Sequence, residues 1–492
     1  MLGSVKGWQK ALLYRQEPLN DLKQQLTEPL FQGVPLGYTL SDIITIDFLN
    51  GNLVWDFRKM LFCRPLYGYH WCRGLRLTPQ PLPGETGRFL LTWLNLRQSL
   101  RDLVLPLLQA LGPAQCTVIG GDPRMSAQLP AATGFLTWKG VPAFDLQEFR
   151  REYKHCAPAW HRRVKIWLRH LGLPSGIFRY LADALLTRAQ MVMAYGGLLD
   201  RLQPLAVITE YDHHPTAACL ILAAKARGIA TMTMIHGPLN STFAYTPLLA
   251  DLAFCWGREH YDKLLGAGTE AERLVIAGCQ RLSRPLRADS AAAKAKVGLP
   301  AAWPAVVLAT NPIYAEHRKQ LVRVFCQALA GMDRVSGVVR LHPSEKLDFY
   351  RPEIAAFPTI KFCANEAWTL DEALAAAEVV VCHNSGLGLD ALVKGKLTVI
   401  LDVLAQPLEM GEELIGKAGC PRARGADELA GIVARILNDG PLRRALQEKA
   451  ASYLDYFIAA FGEDAAHNLA EIIRARAKPQ VIALSKVMRN SH

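Results

Sequence analysis

The 492-residue sequence contains no run approaching the ~20 apolar residues that a membrane span requires. Its first residues, MLGSVKGWQKALLYRQEPLNDLKQ, lack a long apolar stretch ending in a small-residue cleavage site. The expectation is therefore a chain without a secretory signal, acting in the cytoplasm or peripherally on the cytoplasmic membrane face. Paired cysteines are missing as well. The 11 cysteines, including Cys63, Cys72, Cys219, Cys279 and Cys382, are scattered singles with no CxxC spacing. That excludes a zinc-ribbon pattern, argues against a disulfide framework, and points to buried thiols in a reducing compartment. An acidic excess is absent too: the formal net charge is +12. Such a balance suits anionic partners, but no zinc finger, RNA-binding signature or basic-region heptad is present. Nucleic acid is thus not among the expected partners, whereas phosphorylated donors and lipid-linked acceptors are.

Half of the residues are hydrophobic and a fifth are charged, as in globular proteins. The length exceeds one ordinary core, which predicts two α/β domains of about 150–250 residues each. Residues 1–85 read as an N-terminal extension of unclear role, with short aromatic-rich pieces such as DIITIDFLNGNLVWDF. Residues 86–283 then alternate buried strands (RFLLTW, CTVIGGD, LAVITE, IATMTMIHG, LADLAFCWG) with amphipathic helices. A Pro/Ala/Lys-rich stretch, 284–303, reads as a linker. Residues 304–455 restart the same alternation with AVVLATN, VSGVVRLHP, VVVCHNSGLGLDALVKG and LTVIL, and 456–492 read as a final helix and basic tail. Strand–helix–strand repetition predicts parallel sheets with helical crossovers, hence two Rossmann-like domains facing a cleft. Ligands of such sheets gather at the carboxyl ends of the strands, where the unusual polar residues fall.

The strongest constellation is RLHPSE (Arg340–Glu345) with HNSGLGLDAL (His383–Leu392) some forty residues on. Each is an apolar strand ending in a polar tip. Asn384, Ser385 and Gly386 stand at the start of a helix, where backbone N–H groups, a hydroxyl and a glycine make an anion site. His342, expected at a neighbouring strand end, has the pKa and donors to bind a phosphate and to protonate it on departure. Pro343 sets the chain's exit, and Arg340 offers a cation for phosphate or carboxylate. Asn311, after the first strand of the second domain, is a further candidate for the same phosphate. Purely structural roles suit these types as well: a carbonyl-bonded His and a Ser N-cap.

The RLHP tip and the NSGLGLDAL loop resemble the HP and serine motifs of bacterial GT-B glycosyltransferases that use CMP-activated sugars. These are the sialyltransferases, polysialyltransferases and capsule or lipopolysaccharide Kdo transferases; CDP-glycerol polyol-phosphate polymerases are similar more distantly. The resemblance implies a GT-B fold with a C-terminal helix crossing back to the first domain, for which YFIAAFGEDAAHNLAEII is the candidate. It also implies that His342 contacts the nucleotide phosphate and that Ser385, between Asn384 and Gly386, binds the same group.

In ITEYDHHP (Ile208–Pro215) a buried strand ends in Glu210, Asp212, His213 and His214. Glu210 or Asp212 is the candidate general base or nucleophile. Two apart, they point the same way along an extended tip, but only one faces the cleft if the chain turns. His and carboxylate are also zinc or manganese ligands, yet adjacent His213 and His214 point to opposite sides of an extended chain. Metal-independent chemistry without a cofactor is therefore favoured. His236 and Gly237, in MIHGP, form another strand tip expected to touch donor or acceptor, with His213 beside them. Finally, WHRRVKIWLRHLG (Trp160–Gly172) combines an aromatic stripe with flanking cations, suited either to an anionic membrane surface or to packing on the core.

These readings converge on a glycosyltransferase moving a sugar, by resemblance a CMP-linked 2-keto acid such as Kdo or a sialic-type sugar, to a glycan or lipid-linked acceptor in surface-polysaccharide assembly. Alternatives are a nucleotide-sugar epimerase of the same fold and a non-catalytic nucleotide- or sugar-binding subunit.

Overall fold

The computed structural model describes residues 22 and 24–40, then 86–477 apart from 97, 139–143, 171–175, 240–241, 284–287, 311–314, 343–344, 384–385 and 405–407. Two parallel sheets organise them. The first holds β1 (Phe89–Trp93), β2 (Cys116–Gly120), β3 (Gly134–Thr137), β4 (Ala206–Thr209), β5 (Ala230–Met234), β6 (Leu252–Cys255) and β7 (Leu274–Ile276), in the order β3-β2-β1-β4-β5-β6-β7. Its helices are α1 (Gln98–Leu111), α2 (Leu146–His170), α3 (Gly176–Leu202), α4 (Pro215–Lys225) and α5 (Arg258–Gly266). The second holds β8 (Ala305–Ala309), β9 (Ser336–Arg340), β10 (Lys361–Cys363), β11 (Ala377–Cys382), β12 (Leu397–Leu401) and β13 (Arg422–Ala423), in the order β10-β9-β8-β11-β12-β13. Around it lie α6 (Ser290–Lys296), α7 (Ala315–Ala330), α8 (Arg351–Ala356), α9 (Leu370–Ala376), α10 (Gly386–Val393), α11 (Glu409–Gly416) and α12 (Ala426–Asn438). Two further helices, α13 (Gly440–Phe457) and α14 (Gly462–Ala477), close the described chain.

The central strands are apolar and buried along their whole length, as strands covered by helices on both faces must be. In both sheets the winding reverses beside the first strand. β1 lies between β2 and β4, and β8 between β9 and β11. Loops leaving the two strands on either side of such a reversal diverge and open a crevice at the strands' carboxyl ends. The strand tips bearing His342 and the serine loop, expected to be neighbours, are thus separated by β8.

Three pieces differ from the sequence reading. Residues 284–303, expected as a linker, contain α6, whose Ala293 packs with Val307 and Trp368 in the second domain's core. Within the N-terminal extension, Leu22, Leu26, Phe31, Val34, Leu36 and Leu40 are buried in the same cluster as α2 and α3. That segment also receives the aromatic stripe of α2. Trp160, Val164, Trp167 and Leu168 are buried, and Trp160 Nε1 donates to the Pro29 carbonyl at 3.2 Å. The membrane-facing use of this stripe is accordingly corrected: its apolar area is already removed from water by the protein's own core. Among the described residues no helix is long and apolar enough to cross a membrane.

The chain does cross back. α14 lays Leu469, Ala470 and Ile473 into the core of the first sheet beside α1. The crossing is stitched by backbone: Ala459 N–H to the Trp256 carbonyl at 2.8 Å, and Cys279 N–H to the Ala460 carbonyl at 2.8 Å. Side chains add Arg281–Asp390 at 3.4 Å and a Lys263 ammonium shared by Glu259 and Glu413. Glycine permits the approach. A Cβ at Gly257 would lie 2.3 Å from the Phe457 carbonyl oxygen, and one at Gly278, where φ is +94°, 2.5 Å from that of Ala460. Gly257→Ala should therefore loosen the crossing, destabilising the protein by about 2 kcal/mol and lowering Tm by about 3–6 °C. Thermal unfolding checks this; an unchanged Tm would contradict the tight backbone contact.

Candidate functional site

At the second sheet's reversal, the tip of β8 is tied to the tip of β9. Thr310 N–H donates to the Arg340 carbonyl at 3.1 Å, and the His342 N–H donates to Thr310 Oγ1 at 2.9 Å. Glu345 holds this arrangement from beneath. Its carboxylate, with no exposed side-chain surface, accepts from the Thr310 hydroxyl, from the His342 N–H at 3.3 Å and from Arg318 of α7 at 2.9 Å. Arg318 also lies over the Phe349 ring at 4.4 Å, which leaves its guanidinium little freedom. One buried carboxylate thus fixes two strand tips and the first turn of a helix, and holds the backbone of the half-buried His342.

Across the reversal, His383 follows β11. Its Nδ1 lies 2.9 Å from the Leu401 carbonyl, an acceptor only, so Nδ1 carries the proton. Burial lowers its pKa, with the Leu401 bond and Asp402 opposing and His317 adding to the effect. The neutral ring then presents Nε2 as an acceptor. Leu308, Ala309, Thr310, Arg318, Leu321 and His383 line a small cavity at this point. Gly386 opens α10, exposed, with nothing near the position a Cβ would take. Gly388 has the opposite role: a Cβ there would meet Leu414 at 2.8 Å and Cys382 at 2.9 Å, so it seats the helix on the sheet. Asn311, Pro343, Asn384 and Ser385 lie outside the described residues.

Arg340, expected at the phosphate, is instead turned into the domain. It is 6% exposed, with Nε on the Trp368 carbonyl at 3.3 Å and Nη2 on Asn365 Oδ1 at 2.5 Å. Burial lowers its pKa, and its work is to anchor the segment after β10. Beside Thr310, which stands next to the candidate Asn311, the structure places Arg318 and His383, two residues without an assigned role, around the small cavity, and the Glu345 carboxylate holds the tips together. The signal for them was positional, since each stands at a strand tip or in the first turn of the following helix.

The first sheet's reversal is sealed by Glu210. Fully buried at the end of β4, it accepts from the Thr92 hydroxyl and the Leu94 N–H at the tip of β1. Burial raises its pKa against those two bonds. The chain turns at Asp212 and His213, so Asp212 points elsewhere, accepting from the Leu249 N–H at 2.8 Å. The expected outward-facing carboxylate pair is thus corrected: both groups are fully buried and employed by neighbouring backbone. His213, 1% exposed, lies 2.8 Å by Nε2 from the Pro247 carbonyl, and His214 caps α4 by accepting from Thr216 N–H at 3.4 Å. Among the described residues no group of three His, Cys, Asp or Glu side chains is arranged to hold a metal ion.

His236 is the half-buried group here. Its Nδ1 lies 2.7 Å from the Tyr245 hydroxyl, which also accepts the His236 N–H at 3.2 Å, and the Tyr211 ring stands 5.2 Å from the imidazole. Gly237 follows, with open space at its Cβ position. Tyr245 belongs to an apolar cluster shared with Cys382, Leu389 and Leu392 of the second domain, and Tyr211 packs against it. This aromatic–imidazole group therefore adjoins the second domain.

No protein-family model and no curated protein matches the sequence. Solved structures do. A Listeria monocytogenes protein provisionally classed as a UDP-N-acetylglucosamine 2-epimerase superposes with a TM-score of 0.53 at 11% identity, covering 80% of this chain and 97% of its own. The glycotransferase of kitacinnamycin gives 0.51 at 13% identity, covering 80% and 99%. A Rickettsia africae glycosyltransferase gives 0.50 at 11%, also covering 80% and 99%. At these identities the likeness defines the fold: GT-B, two Rossmann-like domains with a C-terminal helix crossing back.

Burial raises the Asp212 pKa to about 7, against opposing bonds from Leu249 and Ala250 N–H and the field of Arg273. The folded protein therefore holds a proton that the unfolded chain has released above its ordinary carboxyl value near 3.9, and this contribution to stability falls as pH rises from about 4 to about 7. Asp212→Asn keeps an acceptor for Leu249 and removes the titration. Its stability relative to the parent should rise by about 2 kcal/mol between pH 5 and pH 7.5, measured by denaturant unfolding. A difference independent of pH would contradict this environment.

Proposed function

We propose that the protein is a nucleotide-sugar enzyme and, in its leading reading, a glycosyltransferase that binds its donor at the reversal between β8 and β11. The single observation that carries the reading is the side-by-side placing of the β9, β8 and β11 tips: Thr310, Arg318 and His383 line one small cavity, the His342 N–H is tied to Thr310, and Gly386 opens α10. Arg318, the imidazole of His342 and the helix N-terminus supply positive charge and donors for a nucleotide phosphate. Ser385 and Asn384, by the motif they share with CMP-sugar transferases, are proposed to bind the same phosphate, with Asn311 and Pro343 at its border. His383 Nε2, an acceptor, suits a hydroxyl or amino donor on the nucleoside.

In transfer, an acceptor hydroxyl attacks the anomeric carbon while the bond from that carbon to the phosphate oxygen breaks. The electron pair leaves on the phosphate, where His342 stabilises it by donating a hydrogen bond or a proton. The hydroxyl's proton needs a base. His236, half-buried and polarised by Tyr245, is better presented for this than Glu210 or Asp212, which would act only after a rearrangement that exposes them. The chemistry needs no metal, because fixed cations and N–H donors can carry the phosphate charge.

The motif resemblance favours a CMP-linked 2-keto acid sugar and a glycan or lipid-linked acceptor in bacterial surface-polysaccharide assembly. A second reading, a nucleotide-sugar epimerase, is supported by the likeness to the Listeria protein and would need no acceptor. A thermal-shift series with CMP, CDP, UMP, UDP and GDP tests the site and the base together. A ligand at 100 times its Kd should stabilise the protein by about 2.7 kcal/mol. CMP is the expected selective stabiliser, and His342→Ala should abolish its effect and lower turnover by at least about a hundredfold. Selective stabilisation by UDP would move the reading to the epimerase-like alternative. Full turnover in His342→Ala would end the phosphate assignment.

A further inference from the structure

The face of α2 opposite its buried tryptophans carries a second feature, remote in the fold from the strand tips. Lys154, Arg162, Lys165 and Arg169 line one cavity of about 580 Å3, floored by Tyr153 and Ala157. Their spacings along the helix are eight, three and four residues, with Pro158 midway in the longest, so all four lie along a single stripe. Like charges three and four residues apart on a helix repel one another, and each such pair destabilises it by a few tenths of a kcal/mol. Among the described residues none of the four is ion-paired to a carboxylate, although Arg227, Lys263 and Arg318 elsewhere all are. His161, on the same wall, adds a buried Nε2 without a hydrogen-bond partner. Its ring meets Phe178 of α3 edge-on at 5.4 Å, and the Lys165 ammonium lies 4.8 Å from that same ring.

The stripe is held rigidly. Trp160 and Trp167 anchor the helix from behind, and Arg163 reaches the Gln25 carbonyl at 2.6 Å on the other side. The cations, exposed at their ends, therefore line an open groove of the size that small ligands occupy. We infer that this cavity is a binding site for a phosphate-ester or diphosphate anion, separate from the nucleotide site between β8 and β11. The anion would neutralise the four charges and accept hydrogen bonds from the two guanidinium groups, for which phosphate oxygens are the matching geometry. The source is a free diphosphate compound or the headgroup of an anionic lipid.

Two arms on the full chain separate these sources. Calorimetry measures inorganic pyrophosphate, and flotation measures vesicles of phosphatidylglycerol against vesicles of phosphatidylcholine. The triple variant R162Q/K165Q/R169Q changes only exposed side chains and should keep its Tm. Binding in either arm should fall at least tenfold in that variant and persist in His342→Ala, and it should weaken with salt. Loss of pyrophosphate binding alone identifies a free ligand; loss of phosphatidylglycerol binding alone identifies a lipid headgroup. Absence of binding in both arms, binding unchanged in the triple variant, or binding abolished by His342→Ala would each overturn the inference.

Discussion

The buried carboxylate of Glu345 is the interaction on which the arrangement of the second domain's strand tips depends. Removed from water, it is compensated by a guanidinium, a hydroxyl and a backbone N–H. A charge so placed is tolerable only while every partner is present. The consequence is that β8, β9 and the start of α7 act as one rigid body at their carboxyl ends. On the proposed reading, a phosphate there would meet donors already oriented, which is what electrostatic stabilisation of a leaving group requires.

The first domain uses the same device for a different end. Glu210 closes the gap between β1 and β4, and Asp212 holds the loop before β6. Both occupy the place where this class of sheet opens toward a ligand, yet both are occupied with backbone. The half-buried group that packs against the second domain is His236 with Tyr211 and Tyr245. The two reversals are therefore unlike: one is a crevice whose strand tips are tied by the Glu345–Arg318 pair, the other a sealed strand end with an aromatic imidazole beside it. Such a division suits a protein in which one domain holds a phosphate and the other orients a second reactant.

The long central strands were legible because burial on both faces writes them as unbroken apolar runs; RFLLTW, LAVITE, AVVLATN and LTVIL all form strands where expected. β3, β7, β10 and β13 were not singled out. They are the edge strands, and all but β3 have three residues or fewer, so their burial is incomplete and they do not read as unbroken apolar runs. The polar tips at His342 and His236 were legible as interruptions of apolar runs. Their surroundings were not: whether Arg340 faces a ligand or the Trp368 carbonyl depends on which neighbour packs beside β9. The turn at Asp212 likewise sent two carboxylates, two residues apart, to opposite neighbours. The burial of α2's aromatic stripe depended on residues 22–40, a segment distant in sequence with no periodicity of its own.

The central claim is that nucleotide phosphate binds at the reversal of the second sheet and not at that of the first. Hydrogen–deuterium exchange with and without saturating nucleotide tests it directly. Protection is expected in peptides spanning 308–318, 340–346 and 383–390, with segment 208–214 unchanged. Protection confined to the first domain, or none at saturation, would contradict the account.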